Sequence, residues 1–167
     1  LAEVFDCLPP GVVNIVTGRG EQAGDALVRH PDAQMIAFTG SLETGKAIGR
    51  VCADMVKRCH LELGGKDPFV VAEDADLEVA ARAVAWAAFL NTGQVCTSSE
   101  RIYVQSSIAE EFIAELVDFT KSLVVGNGLS PDTDVGPMAG AEYRKKVEGQ
   151  VADAVKRGAK VLAGGKR

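Results

Sequence analysis

The chain has 167 residues, enough for one domain of ordinary size or for parts of two. Apolar residues make up 47% and charged residues 25%, the balance of an ordinary globular chain. The net charge is −5, and no basic run is longer than Lys57-Arg58 or Lys145-Lys146, which argues against a nucleic-acid surface.

No apolar run approaches the ~20 residues that span a bilayer, so no membrane partner is expected. Cys7, Cys52, Cys59 and Cys96 match no CxxC metal or redox spacing. A chain this apolar needs no disulfide staples. Reduced thiols in a cytoplasmic setting are therefore expected, and no metal site is.

In chain order, Leu1, Val4, Phe5 and Leu8 fall on one helical stripe. The chain thus opens inside a helical pattern, without Met, and it stops just after Gly164-Gly165. Both ends look cut, and the expectation is an internal piece of a longer protein. Pro9-Pro10-Gly11 breaks the first stripe. A short strand is predicted over 12–16, a helix over 21–30, and an almost wholly apolar strand over 34–39 of the kind buried on both faces of a parallel sheet. Ser41 is placed to cap a helix over 42–55. Strands over 58–63 and 69–71 follow, separated by Gly64-Gly65. Asp74-Ala75-Asp76 is a capping cluster for an alanine-rich helix over 77–90. A strand is predicted over 101–105. Ser107-Ile108-Ala109-Glu110 reads as a capping box opening a helix with Phe112, Ile113, Leu116 and Phe119 on one face. A turn-rich stretch over 126–137, a helix over 141–157 and a strand over 160–163 complete the chain. The alternation of strand and helix predicts an α/β fold, with its domain boundary at the Gly64-Gly65 turn.

Three stretches carry chemistry. Phe38-Thr39-Gly40-Ser41, with Gly45 four residues on, puts a glycine-serine turn between a strand and a helix N-terminus. Free N–H groups and the helix dipole favour a phosphate there, and Ser41 can donate a further hydrogen bond. The turn is neither GxGxxG nor a Walker loop, and taken alone a plain strand-to-helix turn with a serine cap is the simpler account. In His60-Leu61-Glu62-Leu63-Gly64-Gly65-Lys66 the leucines face one side of a strand and Glu62 the other. A partly desolvated carboxylate there has a raised pKa and serves as a general base; taken alone, an exposed strand glutamate is the simpler account. Cys96 lies on a polar turn, Gly93-Gln94-Val95-Cys96-Thr97-Ser98, between a helix and a strand, where a substrate can reach it. Cys7, Cys52 and Cys59 read as inert packing thiols. His30 and His60 form no Cys-His-Asn pattern with Cys96, so a papain-like hydrolase is the weaker alternative.

Together these motifs resemble the aldehyde dehydrogenase superfamily, and the resemblance covers essentially the whole chain. Leu8-Pro9-Pro10-Gly11-Val12-Val13-Asn14-Ile15-Val16-Thr17-Gly18 looks like the family's stretch before its cofactor phosphate region, and Phe38-Thr39-Gly40-Ser41 with Gly45 like its phosphate turn. Leu61-Glu62-Leu63-Gly64-Gly65-Lys66 is similar to the glutamate signature and Gly93-Gln94-Val95-Cys96 to the cysteine signature. The resemblance implies that residues 1–63 are part of a Rossmann-like NAD(P)-binding domain and 64–167 part of an α/β catalytic domain.

It further implies oxidation of a small-molecule aldehyde to a carboxylic acid with NAD or NADP, by way of a thiohemiacetal and a thioester on Cys96. Glu62 would activate the hydrolytic water. Thr39, Gly40, Ser41, Gly45, Leu63 and Gly64 would be cofactor-binding. The oxyanion would be held by the Cys96 N–H and by an asparagine outside this chain. A cofactor-binding lysine, a ribose-binding glutamate and an oligomerisation strand also fall outside it. The isolated chain is therefore expected to be inactive and the full-length protein to be a homodimer or homotetramer. Family branches that pass the acyl group to coenzyme A commonly lack this glutamate. An acylating dehydrogenase using coenzyme A or phosphate, or a non-catalytic homologue of the fold, remains the alternative.

Overall fold

The computed structural model describes residues 2–5 and 7–166. Its two compact units comprise residues 1–63 and 64–167. Both are α/β, and each is built on a pair of parallel strands. No helix among the described residues is long and apolar enough to cross a membrane.

In the first unit a single π turn, Gly20–Gly24, runs into the short helix α1 (Asp25–Arg29). The Lys57 ammonium donates to the carbonyls of Val28 and His30, both at 2.6 Å, so a cation sits where α1 ends and its dipole is negative. Strand β1 (Met35–Thr39) pairs in parallel with β2 (Arg58–Glu62), from Met35 opposite Arg58 to Thr39 opposite Glu62. Helix α2 (Leu42–Asp54) makes the crossover. The Ser41 hydroxyl caps it by accepting from the Thr44 N–H at 3.2 Å.

The second unit opens with β3 (Asp67–Val71), parallel to β4 (Ser99–Val104). The register slips between Asp67 and Pro68, which face Ser99 and Arg101, so Glu100 bulges out of the ladder. Helix α3 (Leu77–Phe89) is capped by Asp76, whose carboxylate accepts from the Val79 N–H at 3.1 Å. The core is Val71, Ala81, Val84 and Phe112, where α3 and α4 (Ala109–Ser122) pack together over the sheet. Helix α5 (Ala141–Lys156) follows the 126–140 loop.

Five expectations are corrected. Residues 12–16 and 160–163 are extended or turned but join no strand among the described residues; their valines and leucines lack a ladder partner. The helical stripe near the start is only a 3-10 turn, Ala2–Phe5, and Leu1 of that stripe lies outside the described residues. Strand β1 is not buried on both faces: among the described residues it pairs only with β2, and Met35, Ala37 and Thr39 are exposed. The capping box at Ser107 does not form. A 3-10 turn (Ser106–Ile108) leads into α4 without a side-chain cap, and the Ser107 hydroxyl instead donates to Glu73 at 3.5 Å.

Candidate active site

The Thr39-Gly40-Ser41 turn and Glu62 belong to the first unit, where parallel pairing brings them together. Thr39 and Glu62 are register partners at the carboxyl ends of β1 and β2, and the Gly40 N–H donates to the Glu62 carbonyl at 3.1 Å. The carboxyl ends of adjacent parallel strands are where open α/β sheets bind their ligands. Just beyond, α2 begins. Its Leu42 and Glu43 N–H groups have no acceptor among the described residues, so a dinucleotide phosphate fits the donors and dipole offered here. The Ser41 hydroxyl is already engaged: besides accepting from Thr44 N–H, it donates to Thr44 Oγ1 at 3.0 Å. To reach a phosphate it must turn away from Thr44.

Gly45 is buried on α2, and a Cβ there would lie 2.5 Å from Leu63 Cδ2. One turn on, a Cβ on Gly49 would lie 3.7 Å from Leu61 Cδ1. The two glycines thus form the groove in which Leu61 of β2 and Leu63, just beyond its end, rest, and they explain Gly45 as a close-packing residue. Gly64 has open space around it.

Because Leu61 and Leu63 turn toward α2, His60 and Glu62 lie together on the opposite face. His60 Nε2 stands 3.1 Å from Glu62 Oε1, a partner that sequence reasoning passed over although the two-residue spacing signals it. The expected desolvation of Glu62 is not found. Its side chain is 60% exposed.

Cys96 belongs to the second unit and is exposed. It follows a 3-10 turn, Leu90–Gly93, in which Asn91, Thr92 and Gly93 all take positive φ (50°, 62° and 71°). Several bonds brace this turn. Asn91 Nδ2 donates to the Gln94 carbonyl at 3.3 Å, and Gln94 Nε2 donates to the Asn91 carbonyl at 3.0 Å. Ser98 is buried, with its hydroxyl donating to the Gly93 carbonyl at 3.4 Å. Two neighbouring stretches press on the turn. A Cβ on Gly65 would lie 2.7 Å from the Cys96 carbonyl oxygen. From the 126–140 loop, the Ala139 N–H donates to Gln94 Oε1 at 3.1 Å. The Cys96 N–H itself has no acceptor among the described residues, which leaves it available to an oxyanion. Behind the turn Lys66 pairs with the bulged Glu100, and Arg101 Nε donates to the Lys66 carbonyl at 2.7 Å.

The family model for the aldehyde dehydrogenase family matches residues 1–167. The chain belongs to the aldehyde dehydrogenase family. It is 46% identical over 158 residues to phenylacetaldehyde dehydrogenase of Pseudomonas fluorescens, covering 95% of this chain and 32% of that protein. It is also 46% identical over 160 residues to betaine aldehyde dehydrogenase of Bacillus subtilis, covering 96% and 33%. Among solved structures, the NAD+ complex of an aldehyde dehydrogenase from Bacillus cereus superposes with a TM-score of 0.93 at 40% identity, over 96% of this chain and 33% of the other. The chain spans about a third of the length of the curated relatives it matches. In this chain the Thr39-Gly40-Ser41 turn and Glu62 lie in the first unit and Cys96 in the second.

Proposed function

We propose that the whole protein oxidises an aldehyde to a carboxylic acid with NAD(P)+, with Cys96 as nucleophile and Glu62 as the base for hydrolysis. The reading rests on one observation above the others. In a chain matched end to end by the family model, the cysteine of the expected signature is solvent-exposed on a braced turn, and its own N–H is free. The Cys96 sulfur bonds to the carbonyl carbon, and the electron pair displaced onto oxygen is stabilised by donors such as that N–H. NAD(P)+, when bound, supplies the acceptor for the hydride lost by that carbon. Glu62 then takes a proton from water as its oxygen attacks the thioester carbon; the carbon–sulfur bond breaks and the thiolate is restored. Thr39, Gly40, Ser41 and the free N–H groups of α2 are assigned to the cofactor phosphate, with Gly45, Leu63 and Gly64 shaping that end of the strand pair. On this reading residues 1–63 belong to the cofactor domain and 64–167 to the catalytic domain of a cytoplasmic homo-oligomer.

Rapid-mixing kinetics of the whole protein test the assignment. Glu62→Gln should leave a single burst of NADH close to one per Cys96 and remove turnover, whereas Cys96→Ser should abolish burst and turnover together. An unchanged steady-state rate in Glu62→Gln removes Glu62 from the mechanism. NADH formation that requires added coenzyme A or phosphate moves the acyl acceptor from water to that group.

A further inference from the structure

The geometry points to Thr92 as a positioning residue for Cys96: its hydroxyl holds the nucleophile turn in a strained conformation against the 126–140 loop. This rests on Cys96 being the nucleophile proposed above.

Thr92 has φ 62° and ψ 32°, the left-handed region that a branched side chain adopts only under constraint. Neither neighbour demands it. Gly93 takes its positive φ without penalty, and asparagine at 91 tolerates the region through local hydrogen bonding. The constraint on Thr92 is visible. Its Oγ1 donates to the Gly136 carbonyl at 3.2 Å, with the Pro137 carbonyl at 3.5 Å. Two residues on, Gln94 Oε1 receives the Ala139 N–H. The turn before Cys96 is thus pinned at two points to one loop.

That loop is itself organised, so the pins have something to hold. Val125 bridges to Val135, and the Asp134 carboxylate accepts from the Val124 N–H at 2.8 Å. Gly128 and Gly136 are also neighbours: a Cβ on Gly136 would sit in ordinary contact, 3.5 Å from the Gly128 Cα. Strain kept in place by surrounding contacts marks functional turns, because releasing it stabilises the backbone while loosening the reacting group.

Three variants of the whole protein separate positioning from simple structural support. Thr92→Ser keeps the hydroxyl, Thr92→Val keeps the branched Cβ without the hydroxyl, and Thr92→Gly removes both hydroxyl and strain. The NADH burst rate, KM, the thermal midpoint and amide exchange at Ala139 are measured for each. Thr92→Ser should stay within about threefold of wild type. Thr92→Val and Thr92→Gly should both slow the burst about tenfold or more, with KM little changed and faster exchange at Ala139. Thr92→Gly should nonetheless have the higher thermal midpoint of the two. A burst rate that follows thermal stability across the series, fast in Thr92→Gly and slow in Thr92→Val, overturns the inference, as does wild-type burst in both. Cys96→Ser, run alongside, reports on the underlying reading. Full activity there defeats the assignment of Cys96, whereas loss there with unaffected Thr92 variants defeats the positioning role alone.

Discussion

Gly65→Ala places its consequence on the backbone of Cys96, the proposed nucleophile. An added Cβ would meet two oxygens at 2.7 Å, Asp67 Oδ1 and the Cys96 carbonyl. The first is the end of a side chain and can rotate away. The second belongs to a turn held by the Asn91–Gln94 and Ser98 bonds, and it can retreat only by carrying Cys96 with it. Ordinary van der Waals contact begins near 3.4 Å, so the carbonyl must withdraw by about 0.7 Å. A misplacement of about 1 Å costs roughly 100-fold in rate, so a fall in kcat of roughly 10- to 100-fold is expected. That corresponds to about 1.4–2.7 kcal/mol of lost transition-state stabilisation. Steady-state and burst kinetics on the whole protein, with thermal unfolding as a check on folding, measure it. The double variant Gly65→Ala/Asp67→Ala separates the two contacts. If the carbonyl contact carries the effect, removing the Asp67 side chain recovers nothing. Recovery of kcat in the double variant, or a kcat within about twofold of wild type in Gly65→Ala, refutes the reasoning.

Two further predictions concern the first unit. Gly45→Ala should destabilise by about 1 kcal/mol, because about 2 kcal/mol of crowding against Leu63 outweighs about 1 kcal/mol of helix propensity; in a Leu63→Ala background the same change should stabilise. Urea denaturation of the four proteins measures the coupling, and one sign in both backgrounds rules the packing argument out. Burial first, then the hydrogen bond and charge of the Cys59 thiol, push the Cys52 thiol up from its ordinary 9.0, with Lys57 opposing. The folded state therefore favours the neutral thiol. Stability is full below a pH of about 8.5–9 and falls as the pH rises beyond it, where the unfolded chain ionises first. Cys52→Ala should flatten the decline above a pH of about 9, and an equal slope in both proteins would exclude Cys52 as its source.

The parts of the fold legible in the sequence are those decided locally. Ser41 and Asp76 cap α2 and α3 because each needs only an N–H three residues ahead. The parts that were not legible depend on distant partners. Residues 12–16 have the composition of a strand, but a strand exists only where another offers its edge. Ser107 has the spacing of a capping box, yet the Glu73 carboxylate, thirty-four residues earlier, receives its hydroxyl. Cys96, Glu62 and the Thr39-Gly40-Ser41 turn could be picked out as residues, but their surroundings only in part. The exposed face of Glu62 is the simpler account of its alternation with Leu61 and Leu63, whereas nothing in a threonine at 92 announces a left-handed backbone, which its branched Cβ disfavours.

Strand β2 shows how packing residues decide the presentation of a reactive one. Leu61 and Leu63 seat, half-buried, in the groove made by Gly49 and Gly45 on α2, and each contributes less than a fully buried leucine, which is worth about 1.5–3 kcal/mol. A slip of one residue would lift both leucines out and turn His60 and Glu62 against the helix, where an ionised carboxylate costs several kcal/mol unless it is paired. Both terms favour the same register, and it is the register in which the Gly40 N–H meets the Glu62 carbonyl. The two glycines of α2 therefore act on the chemistry at one remove. They admit the leucines, the leucines set the pleat, and the pleat holds the Glu62 carboxylate on the open face beside the Thr39-Gly40-Ser41 turn.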